Sequence, residues 1–326
     1  MKLNELGEFG LIDRIAARAS RNALVKIGIG DDAAAIEPTA GLVTLITTDM
    51  LVEGVHFDLA FSDPVTLGRK SLAVNLSDIA AMGGIPRHFL LSLAIPNYIS
   101  VEFLDGFVDG MLEMGDRFGA SIIGGDTSSS KNGLIISVTV MGEQSPDLVV
   151  ARRGAQPGDL ICVTGTLGDS ALGLALLKKG IRAGTPTSRH LDPLPRVIEG
   201  KKLAEARLPS AMIDISDGLL ADLGHILDLS GVGARLFLDK LPLSADYLEK
   251  YSVVREDIFS LSLCGGEDYE LLFTTNPGKI SAVQSVLMET GTVCTVIGEI
   301  AASGLTLLTA SGTEYLPEER GYNHFC

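Results

Sequence analysis

The sequence is poor in cysteine, histidine and basic residues, and each shortage excludes a class of protein. Only four cysteines occur among 326 residues, at positions 162, 264, 294 and 326. None has a C-x-x-C spacing, so neither a zinc site nor a disulfide framework is indicated. The 26 Lys and Arg residues are outnumbered by 41 Asp and Glu residues, giving a net charge of −15. This charge argues against nucleic acid or an anionic membrane surface as a partner.

The sequence also lacks the long apolar runs that membrane insertion and secretion require. No apolar stretch reaches the roughly 20 residues of a membrane span. The first residues, Met-Lys-Leu-Asn-Glu, do not form the apolar core of a signal peptide. Scattered, unpaired thiols are typical of reducing compartments. We therefore expect a cytoplasmic protein without a membrane partner.

The rest of the composition is that of an ordinary folded protein. Hydrophobic residues make up 46% and charged residues 21% of the chain, and its length favours two domains with separate cores. Residues 142–158 are rich in polar residues, Pro and Gly, which is typical of a linker. We predict an N-terminal domain over residues 1–148 and a C-terminal domain over residues 149–326.

Acidic residues follow several of the predicted strands. Four such places occur: residues 24–30 before Asp32, 42–48 before Asp49, 120–123 before Asp126, and the strand from residue 212 with Asp214 and Asp217. Glycines beside these acids allow the backbone to turn sharply or to approach a ligand. For any one of them a solvated acidic turn is an adequate explanation. Their repetition favours a common site.

A predicted helix over residues 64–82 carries one unusual polar stripe. The helix is apolar on nearly every face, which indicates that it is buried. Ser71, Asn75 and Asp78 fall on one face at helical spacing. A buried carboxylate needs a cation or several hydrogen-bond donors. Asp78 therefore either joins the acidic site or is satisfied by its own helix and the neighbouring backbone.

The acids at these positions point to a hard metal ion. The set comprises Asp32, Asp49, Asp78, Asp126, Asp214 and Asp217. So many carboxylates cannot share a pocket without compensating charge. A site rich in oxygen and poor in His and Cys suits Mg²⁺, which proteins hold through a few carboxylates, water and substrate phosphates. Thr47 and Thr48 can add hydroxyl or backbone oxygens. The sequence therefore predicts a site with several Mg²⁺ ions for nucleotide phosphates, where phosphoryl transfer depends on positioning and charge neutralisation.

Two common motifs for phosphate or cation binding are missing. The glycine-rich residues 165–170 follow a predicted strand but contain no lysine and do not fit the Walker pattern. We predict that this turn only begins a helix. A non-catalytic protein that merely binds divalent cations is a rival hypothesis, but the sequence has no EF-hand loop to support it.

Six short segments together resemble one known enzyme family. They are GIGDDAA (28–34), TTDMLVEGVHF (47–57), AVNLSDIAAMG (73–83), IGGDT (123–127), ISDGL (215–219) and GGEDYEL (265–271). In this order they closely resemble thiamine-monophosphate kinases, and the resemblance runs from about residue 8 to residue 325. The resemblance implies an α+β fold with two domains, each a mixed sheet packed with helices, in a homodimer. It places the active site between the domains and near the dimer interface.

The resemblance also implies an activity and a set of binding residues. The activity is transfer of the γ-phosphoryl group of ATP to thiamine monophosphate, which gives thiamine diphosphate. The implied metal ligands are Asp32, Thr47, Thr48, Asp49, Asp78, Asp126, Asp214 and Asp217. The implied ATP contacts are Gly125, Asp126, Arg152 and Ser216, where a shift of one residue would replace Arg152 by Arg153. The implied contacts to thiamine phosphate are His56, Glu267 and Tyr322.

Several alternatives stay open at this point. His56 is also explained as a structural histidine, and Asp268 could exchange roles with Glu267. Tyr322, with His324 and Phe325, could instead anchor the C-terminus. The wider superfamily includes aminoimidazole ribonucleotide synthetase, selenophosphate synthetase and a hydrogenase maturation dehydratase, and the dehydratase has a reactive C-terminal cysteine. Here the residues before Cys326 do not match the Pro-Arg-Ile of that family, so we expect an unmodified thiol.

Overall fold

The chain folds into two compact units, each with its own sheet and helices. The computed structural model describes residues 3–19, 22–182, 184–254, 257–318 and 321–322. The first unit takes its described residues from Met1–Ile79 and Gly84–Asp147, and the second from Ala80–Gly83 and Leu148–Cys326. Both main sheets mix parallel and antiparallel pairs. The predicted α+β class, with two halves that each combine a mixed sheet with helices, is confirmed.

In its described ranges, the first unit contains three long helices and a four-stranded main sheet. The helices are α1 (Leu3–Ala16), α2 (Pro64–Ala81) and α3 (Val101–Phe118). The strands are β1 (Val25–Ile27), β2 (Ala35–Ile36), β3 (Val43–Val52), β4 (Ile85–Pro96), β5 (Ser121–Ser130) and β6 (Ile135–Gln144). β1 and β2 form a separate pair, and the main sheet has the order β3-β6-β4-β5. β3 and β5 are therefore its edge strands.

One face of this sheet is covered by α2 and α3. Alternate residues of β6, such as Val138 and Val140, are fully buried, as expected for a strand with one covered face. A Cβ added at Gly142 of β6 would lie 2.8 Å from Ile79 of α2, and one added at Gly115 of α3 would lie 3.3 Å from the Phe89 ring of β4. These short approaches show that both helices pack directly on the sheet.

The ends of α3 follow from local sequence signals. The Ser100 side chain accepts a hydrogen bond of 3.2 Å from the Phe103 N–H, which satisfies one of the free donors at the helix start. Gly119 ends the helix with a φ of 74°, a conformation that glycine adopts without steric cost. Both ends of α3 are therefore set by residues at its own boundaries.

Two strands are longer than their sequence pattern predicts. β3 continues through Asp49 to Val52, and β5 continues through Gly124, Gly125 and Asp126 to Ser130. The expectation that Asp49 and Asp126 come after the ends of their strands is therefore wrong. β3 is paired with β6 along its whole length and β5 with β4, so distant partners extend both strands beyond their local β propensity.

The second unit has seven α-helices and a six-stranded sheet in its described ranges. The helices are α4 (Asp169–Lys178), α5 (Gly184–Leu191), α6 (Val197–Glu205), α7 (Leu219–Ser230), α8 (Ala245–Lys250), α9 (Ser260–Cys264) and α10 (Ile280–Met288). The strands are β7 (Leu160–Thr164), β8 (Pro209–Asp214), β9 (Gly233–Phe237), β10 (Leu271–Thr275), β11 (Cys294–Ala301) and β12 (Leu305–Leu308). The sheet has the order β12-β9-β11-β7-β10-β8.

The core of the second unit joins α7 to this sheet. Leu223 and Ile226 of α7 are fully buried in one cluster with Ile213 of β8, Leu272 of β10 and Leu236 of β9. Burial of this kind stabilises a domain by about 25 cal/mol for each Å² of apolar surface removed from water. β8 ends at Asp214, so the acids that follow it lie at the edge of a rigid core.

No helix in the described ranges combines the length and the apolar character that crossing a bilayer would need.

Candidate functional site

Asp78 is held by a residue of the neighbouring strand. The Thr47 hydroxyl of β3 donates a short hydrogen bond to Asp78 Oδ2 of α2. Asp49 lies two residues further along β3, and side chains two apart share a face of a strand. The charge of Asp78 also acts on the Asp49 carboxyl. Thr47, Asp49 and Asp78 are therefore neighbours between the sheet and its covering helix.

The two carboxylates of this group repel each other. Burial raises the pKa of Asp49 to about 6, and the negative charge of Asp78 raises it in the same direction. Each of these effects disfavours the ionised form. A bound cation would act in the opposite sense, because a positive charge nearby stabilises both carboxylates. A cation bound beside Asp49 and Asp78 would therefore relieve their repulsion.

The other members of the polar stripe on α2 are largely satisfied by their own helix. The Ser71 hydroxyl donates to Leu67 O at 2.7 Å, and the Asn75 amide nitrogen donates to Ser71 O at 3.2 Å. The Asp78 carboxylate, in contrast, also contacts a side chain of the neighbouring strand. Among the described residues, the fully buried Asn75 Oδ1 accepts no hydrogen bond.

Thr48 differs from its two neighbours in orientation. Its hydroxyl lies 3.0 Å from the Thr139 hydroxyl and 3.2 Å from Val138 O, both on β6. Adjacent residues of a strand point to opposite faces, so the Thr48 side chain lies on the face away from Asp49. A metal contact from Thr48 would therefore have to come from its backbone oxygen.

The acidic turn at Asp31 and Asp32 is exposed. Asp31 Oδ1 accepts a hydrogen bond of 2.9 Å from the Asp32 N–H, as in a local turn. Gly30, just before the two acids, has a φ of 112°, which favours glycine. The Asp31 carboxylate thus has a backbone donor within the turn itself.

Gly125 controls where Asp126 lies. Its φ is 156°, and a Cβ at this position would come 1.8 Å from Leu91 O of the adjacent β4. A side chain is therefore excluded here, and glycine lets β5 stay paired while passing close to β4. Asp126 is exposed on this edge strand.

His56 lies in the turn after β3. Its Nδ1 accepts a hydrogen bond of 3.0 Å from the Val52 N–H, so the neutral ring carries its proton on Nε2. Lys70 of α2 is buried, and its Nζ lies 3.3 Å from His56 O. The turn therefore fixes both the ring position and the tautomer of His56.

Five predicted site residues of the second unit converge on one loop. This loop, residues 215–217, follows β8. The Glu267 N–H donates to Ser216 O at 2.8 Å, and the Tyr322 N–H donates to Asp217 O at 2.9 Å. Asp214 pairs with Leu271 at the start of β10. Asp214, Ser216, Asp217, Glu267 and Tyr322 thus come from three separate chain segments to one place.

Asp222 holds this loop in shape, although no motif in the sequence points to it. Its Oδ2 accepts hydrogen bonds from the N–H groups of Ser216, Asp217 and Gly218, at 3.0, 3.1 and 3.1 Å. Burial raises the pKa of Asp222 to about 7, although the three donors favour its ionised form. The only sequence signal for it is an acid in the first turn of a helix, which is common in proteins.

The segment that carries Glu267 has an unusual backbone. Glu267 and Tyr269 have φ values of 68° and 50°, which are uncommon for residues other than glycine. Asp268, between them, is buried and accepts hydrogen bonds from the N–H groups of Gly168 and Ser170, at 2.7 and 3.2 Å. Asp268 therefore anchors this segment to the start of α4, while Glu267 remains half-buried.

The remaining predicted residues lie at the surface or outside the described residues. Arg152 and Arg153 are both exposed. Tyr322 is 51% exposed and its ring is accessible. His324, Phe325 and Cys326 lie outside the described residues. In the part of the chain that the structure describes, no three His, Cys, Asp or Glu side chains are close enough to hold a metal ion by themselves.

The acids, their elements and the two-unit fold correspond to a known class. The family model "AIR synthase related protein, N-terminal domain" matches residues 30–144, and "AIR synthase related protein, C-terminal domain" matches residues 156–308. Thiamine-monophosphate kinase of Escherichia coli (strain K12) is 39% identical over 328 residues, which cover 98% of each chain. The chain belongs to the thiamine-monophosphate kinase family. This confirms the resemblance seen in its motifs and the prediction of a kinase.

Solved structures agree with this assignment. The crystal structure of thiamine-monophosphate kinase from Stenotrophomonas maltophilia K279a has a TM-score of 0.83 at 39% identity and covers 94% of this chain and 97% of its own. AaThiL complexed with AMPPCP and TMP has a TM-score of 0.77 at 35% identity and covers 100% of this chain and 99% of its own.

Proposed function

We propose that this protein transfers the γ-phosphoryl group of ATP to thiamine monophosphate, which gives thiamine diphosphate and ADP. The observation that carries this proposal is the likeness to AaThiL complexed with AMPPCP and TMP, which is 35% identical over the whole chain. AMPPCP is an analogue of ATP, so that complex combines the two kinds of ligand that the reaction needs. The curated relatives that are named thiamine-monophosphate kinase support the same reaction.

We propose Mg²⁺ as the metal, with several ions taking part. In the first unit the ligands would be Asp32, Thr47, Thr48, Asp49, Asp78 and Asp126, and in the second unit Asp214 and Asp217. Supporting this, Thr47, Asp49 and Asp78 form an all-oxygen group whose carboxylates repel each other. Mg²⁺ commonly takes only one or two carboxylates together with water and substrate phosphates. When bound, Mg²⁺ would neutralise phosphate charge.

The substrate contacts divide by chemistry. ATP would be contacted by Gly125, Asp126, Arg152 or Arg153, and Ser216, and thiamine phosphate by His56, Glu267 and Tyr322. A carboxylate repels phosphate and attracts a cation, so Glu267 suits the cationic thiazolium end of the substrate. An exposed tyrosine ring also suits that cation. Because His56 Nδ1 accepts a hydrogen bond from Val52, the neutral ring carries its hydrogen on Nε2. An N–H group at that position is a donor suited to phosphate.

We infer direct in-line transfer without a general base. A phosphate monoester has its second pKa near 6, so the attacking oxygen is already mostly ionised at about pH 7. The barrier is then the approach of two anions, which positioning and positive charge lower. The chain's own contribution is to hold the two phosphates in line and to orient the thiazolium end.

The assembly and location of the protein complete the proposal. Residues 1–148 would form the metal- and ATP-binding domain, and residues 149–326 would complete the site. We expect a cytoplasmic homodimer. The outer face of the first sheet supports the dimer, because Ile46 and Met50 of β3 are 67% and 58% exposed there. The two side chains share one face of β3, on either side of Thr48, and exposed apolar side chains that share a face often mark an interface.

The experiment that tests the function is a substrate panel. Nucleotide consumption by the purified chain is measured with thiamine monophosphate, with the ribonucleotide precursor of aminoimidazole ribonucleotide and with selenide. We expect consumption to depend on thiamine monophosphate, with one thiamine diphosphate formed for each ADP. Consumption that depends on either other substrate would replace this function with that of another superfamily member. Cation binding without consumption of nucleotide would favour a non-catalytic protein.

A further inference from the structure

His190 contacts the carboxylate that we propose binds the thiazolium. It lies near the end of α5, and only 2% of its surface is exposed. Its Nδ1 is 3.2 Å from Glu267 Oε2 and 3.1 Å from Ser170 Oγ. These contacts join residues that are far apart in the sequence and belong to the same unit. Neither His190 nor α5 was singled out by the sequence.

The chemistry of the contact determines which ring nitrogen carries a proton. An ionised carboxylate only accepts hydrogen bonds, so the 3.2 Å contact is a hydrogen bond when Nδ1 carries the proton, and we assign the proton to Nδ1 on this ground. The Ser170 oxygen can then accept a share of the same hydrogen. A buried imidazole with two fixed partners has little freedom to rotate. His190 therefore offers Glu267 a donor at a fixed position.

The backbone around Glu267 is also held from several sides. The positive φ angles of Glu267 and Tyr269 are strained, and such residues persist only where the surroundings enforce them. The Tyr269 N–H donates to Ile215 O at 2.9 Å, and Asp268 accepts two N–H groups at the start of α4. These contacts fix the main chain of the segment but leave the long Glu267 side chain to be oriented by its own contacts.

The end of α5 makes a second contact to the same segment. Arg189, next to His190, has its Nη1 3.4 Å from Glu270 Oε1. Glu270 is in turn held by Arg196 through two hydrogen bonds of 2.6 Å. α5 itself is packed tightly on α4, since a Cβ at Gly173 would come 2.1 Å from Pro186 O. The last turn of α5 is therefore a rigid support for the Glu267 segment.

We propose that His190 is a positioning residue, which holds the Glu267 carboxylate in the orientation that receives the cationic end of thiamine phosphate. This inference rests on the proposed function. A hydrogen bond from His190 to Oε2 limits rotation of the carboxylate before the substrate arrives. Less conformational entropy is then lost when the substrate binds. Loss of the donor should therefore weaken binding of thiamine monophosphate and leave nucleotide binding unchanged.

The test compares two replacements of His190 by calorimetric titration. His190→Phe keeps a ring but removes the donor, whereas His190→Asn places an amide nitrogen close to the position of Nδ1. Loss of a hydrogen bond to a charged group typically weakens binding roughly tenfold or more. We expect an effect of this size on thiamine monophosphate binding in His190→Phe. We expect His190→Asn to recover most of this loss. The affinity for AMPPCP should stay within about twofold of wild type in both variants.

His88→Phe is the matched control. His88 is also a buried imidazole, at 3% exposure, and lies on β4 of the first unit. This variant should bind thiamine monophosphate like wild type. Wild-type affinity in His190→Phe, or equal weakening in His190→Phe and His190→Asn, would overturn the positioning role, because a purely structural histidine would not be rescued by asparagine.

A spectroscopic measurement separates this inference from the proposed function. The ¹⁵N spectrum of the histidine rings reports which nitrogen of His190 is protonated, whatever the substrate is. We expect a protonated Nδ1 whose signal shifts in Glu267→Gln. A His190 protonated only on Nε2 would overturn the contact. If wild type binds no thiamine monophosphate, the proposed function fails and the substrate role fails with it, while a shifted Nδ1 signal would still support the contact with Glu267.

Discussion

The Thr47 hydroxyl on β3 donates a hydrogen bond to Asp78 on α2, and this contact brings together two motifs that are separate in the sequence. It gives the half-buried Asp78 a donor without neutralising its charge. Asp49 lies beside the pair and its pKa is raised, first by burial and then by Asp78. A pair of acids kept this close in a partly buried place is costly unless a cation binds there. The relationship is the strongest structural support for the proposed metal site.

Replacing Asp49 tests this support. We expect Asp49→Ala to lower kinase turnover on the order of 100-fold or more, because the loss of charge stabilisation in a transition state has effects of that size. Folding should be retained, since the replacement removes a repulsion. Turnover and melting temperature are measured together. Asp109→Ala, which changes a surface aspartate of α3 that pairs with Arg18, serves as the control and should keep wild-type turnover. Near-normal turnover in Asp49→Ala would refute the metal assignment.

The exposed face of the first sheet should form the homodimer interface. Ile46 and Met50 point to the same face of β3, and both are more than half exposed. We expect the double change Ile46→Glu and Met50→Glu to give monomers, because it places charges in an apolar interface. Light scattering after size-exclusion chromatography measures the mass. Leu229→Glu, at an exposed apolar position of α7, should remain dimeric. A double variant that stays dimeric would exclude this face.

Gly125 should be intolerant of any side chain. Gly125→Ala would place a Cβ 1.8 Å from Leu91 O and hold an alanine at a φ of 156°. We expect this change to destabilise the protein by roughly 1–3 kcal/mol and to displace Asp126. Gly224→Ala is the control, because the space around that helical glycine is open. It should stabilise by roughly 0.5–1 kcal/mol. Both values come from thermal or denaturant unfolding, and equal stability of the two variants would contradict the prediction.

Ionisation of Glu143 should make the free energy of unfolding depend on pH in the acidic range. Burial acts to raise its pKa, but hydrogen bonds from Thr39 and the Arg87 guanidinium together hold the pKa below its ordinary value of 4.5. A lowered pKa stabilises the fold above the unfolded value of about 4.5, and this stabilisation is lost as pH falls through the lowered value. Glu143→Gln should therefore reduce the melting temperature at pH 7, and the difference from wild type should shrink below pH 4.5.

The control for this pH series is Glu113→Gln. Glu113 pairs with Arg69 at the surface and its side chain is 59% exposed. Exposed pairs contribute little to stability, so this variant should follow wild type at every pH. A Glu143→Gln difference that is constant between pH 7 and pH 4 would show that the effect is not due to ionisation of Glu143.

Local sequence signals predicted elements well where the determinants are close in the chain. The helix between Ser100 and Gly119 is an example, because its cap and its stop lie within the segment itself. The strand ends near Asp49 and Asp126 were predicted wrongly, since pairing with distant strands decides them. α5 was not predicted because Gly, Thr, Pro and Ser dominate its sequence and are poor helix formers. Its packing on α4 is a tertiary effect, and His190 was missed with it.

The residues of the candidate site can likewise be divided into those that local motifs identify and those that only the fold reveals. Motifs identified Asp78 and Glu267 as unusual, but only the fold shows that Thr47 binds Asp78 and that His190 binds Glu267. Asp222 has no distinctive sequence signal, because its role depends on three backbone N–H groups of a loop. Residues that act directly on a ligand occur in short motifs, whereas residues that position them are scattered.

The most direct test of the whole account is ³¹P NMR of the purified chain with ATP, thiamine monophosphate and Mg²⁺. The account predicts that the γ-phosphorus signal of ATP falls while the two phosphorus signals of thiamine diphosphate rise in equal amount. It also predicts that neither change occurs when thiamine monophosphate is left out. A falling γ signal with growth of inorganic phosphate, or thiamine monophosphate that stays unchanged, would contradict it.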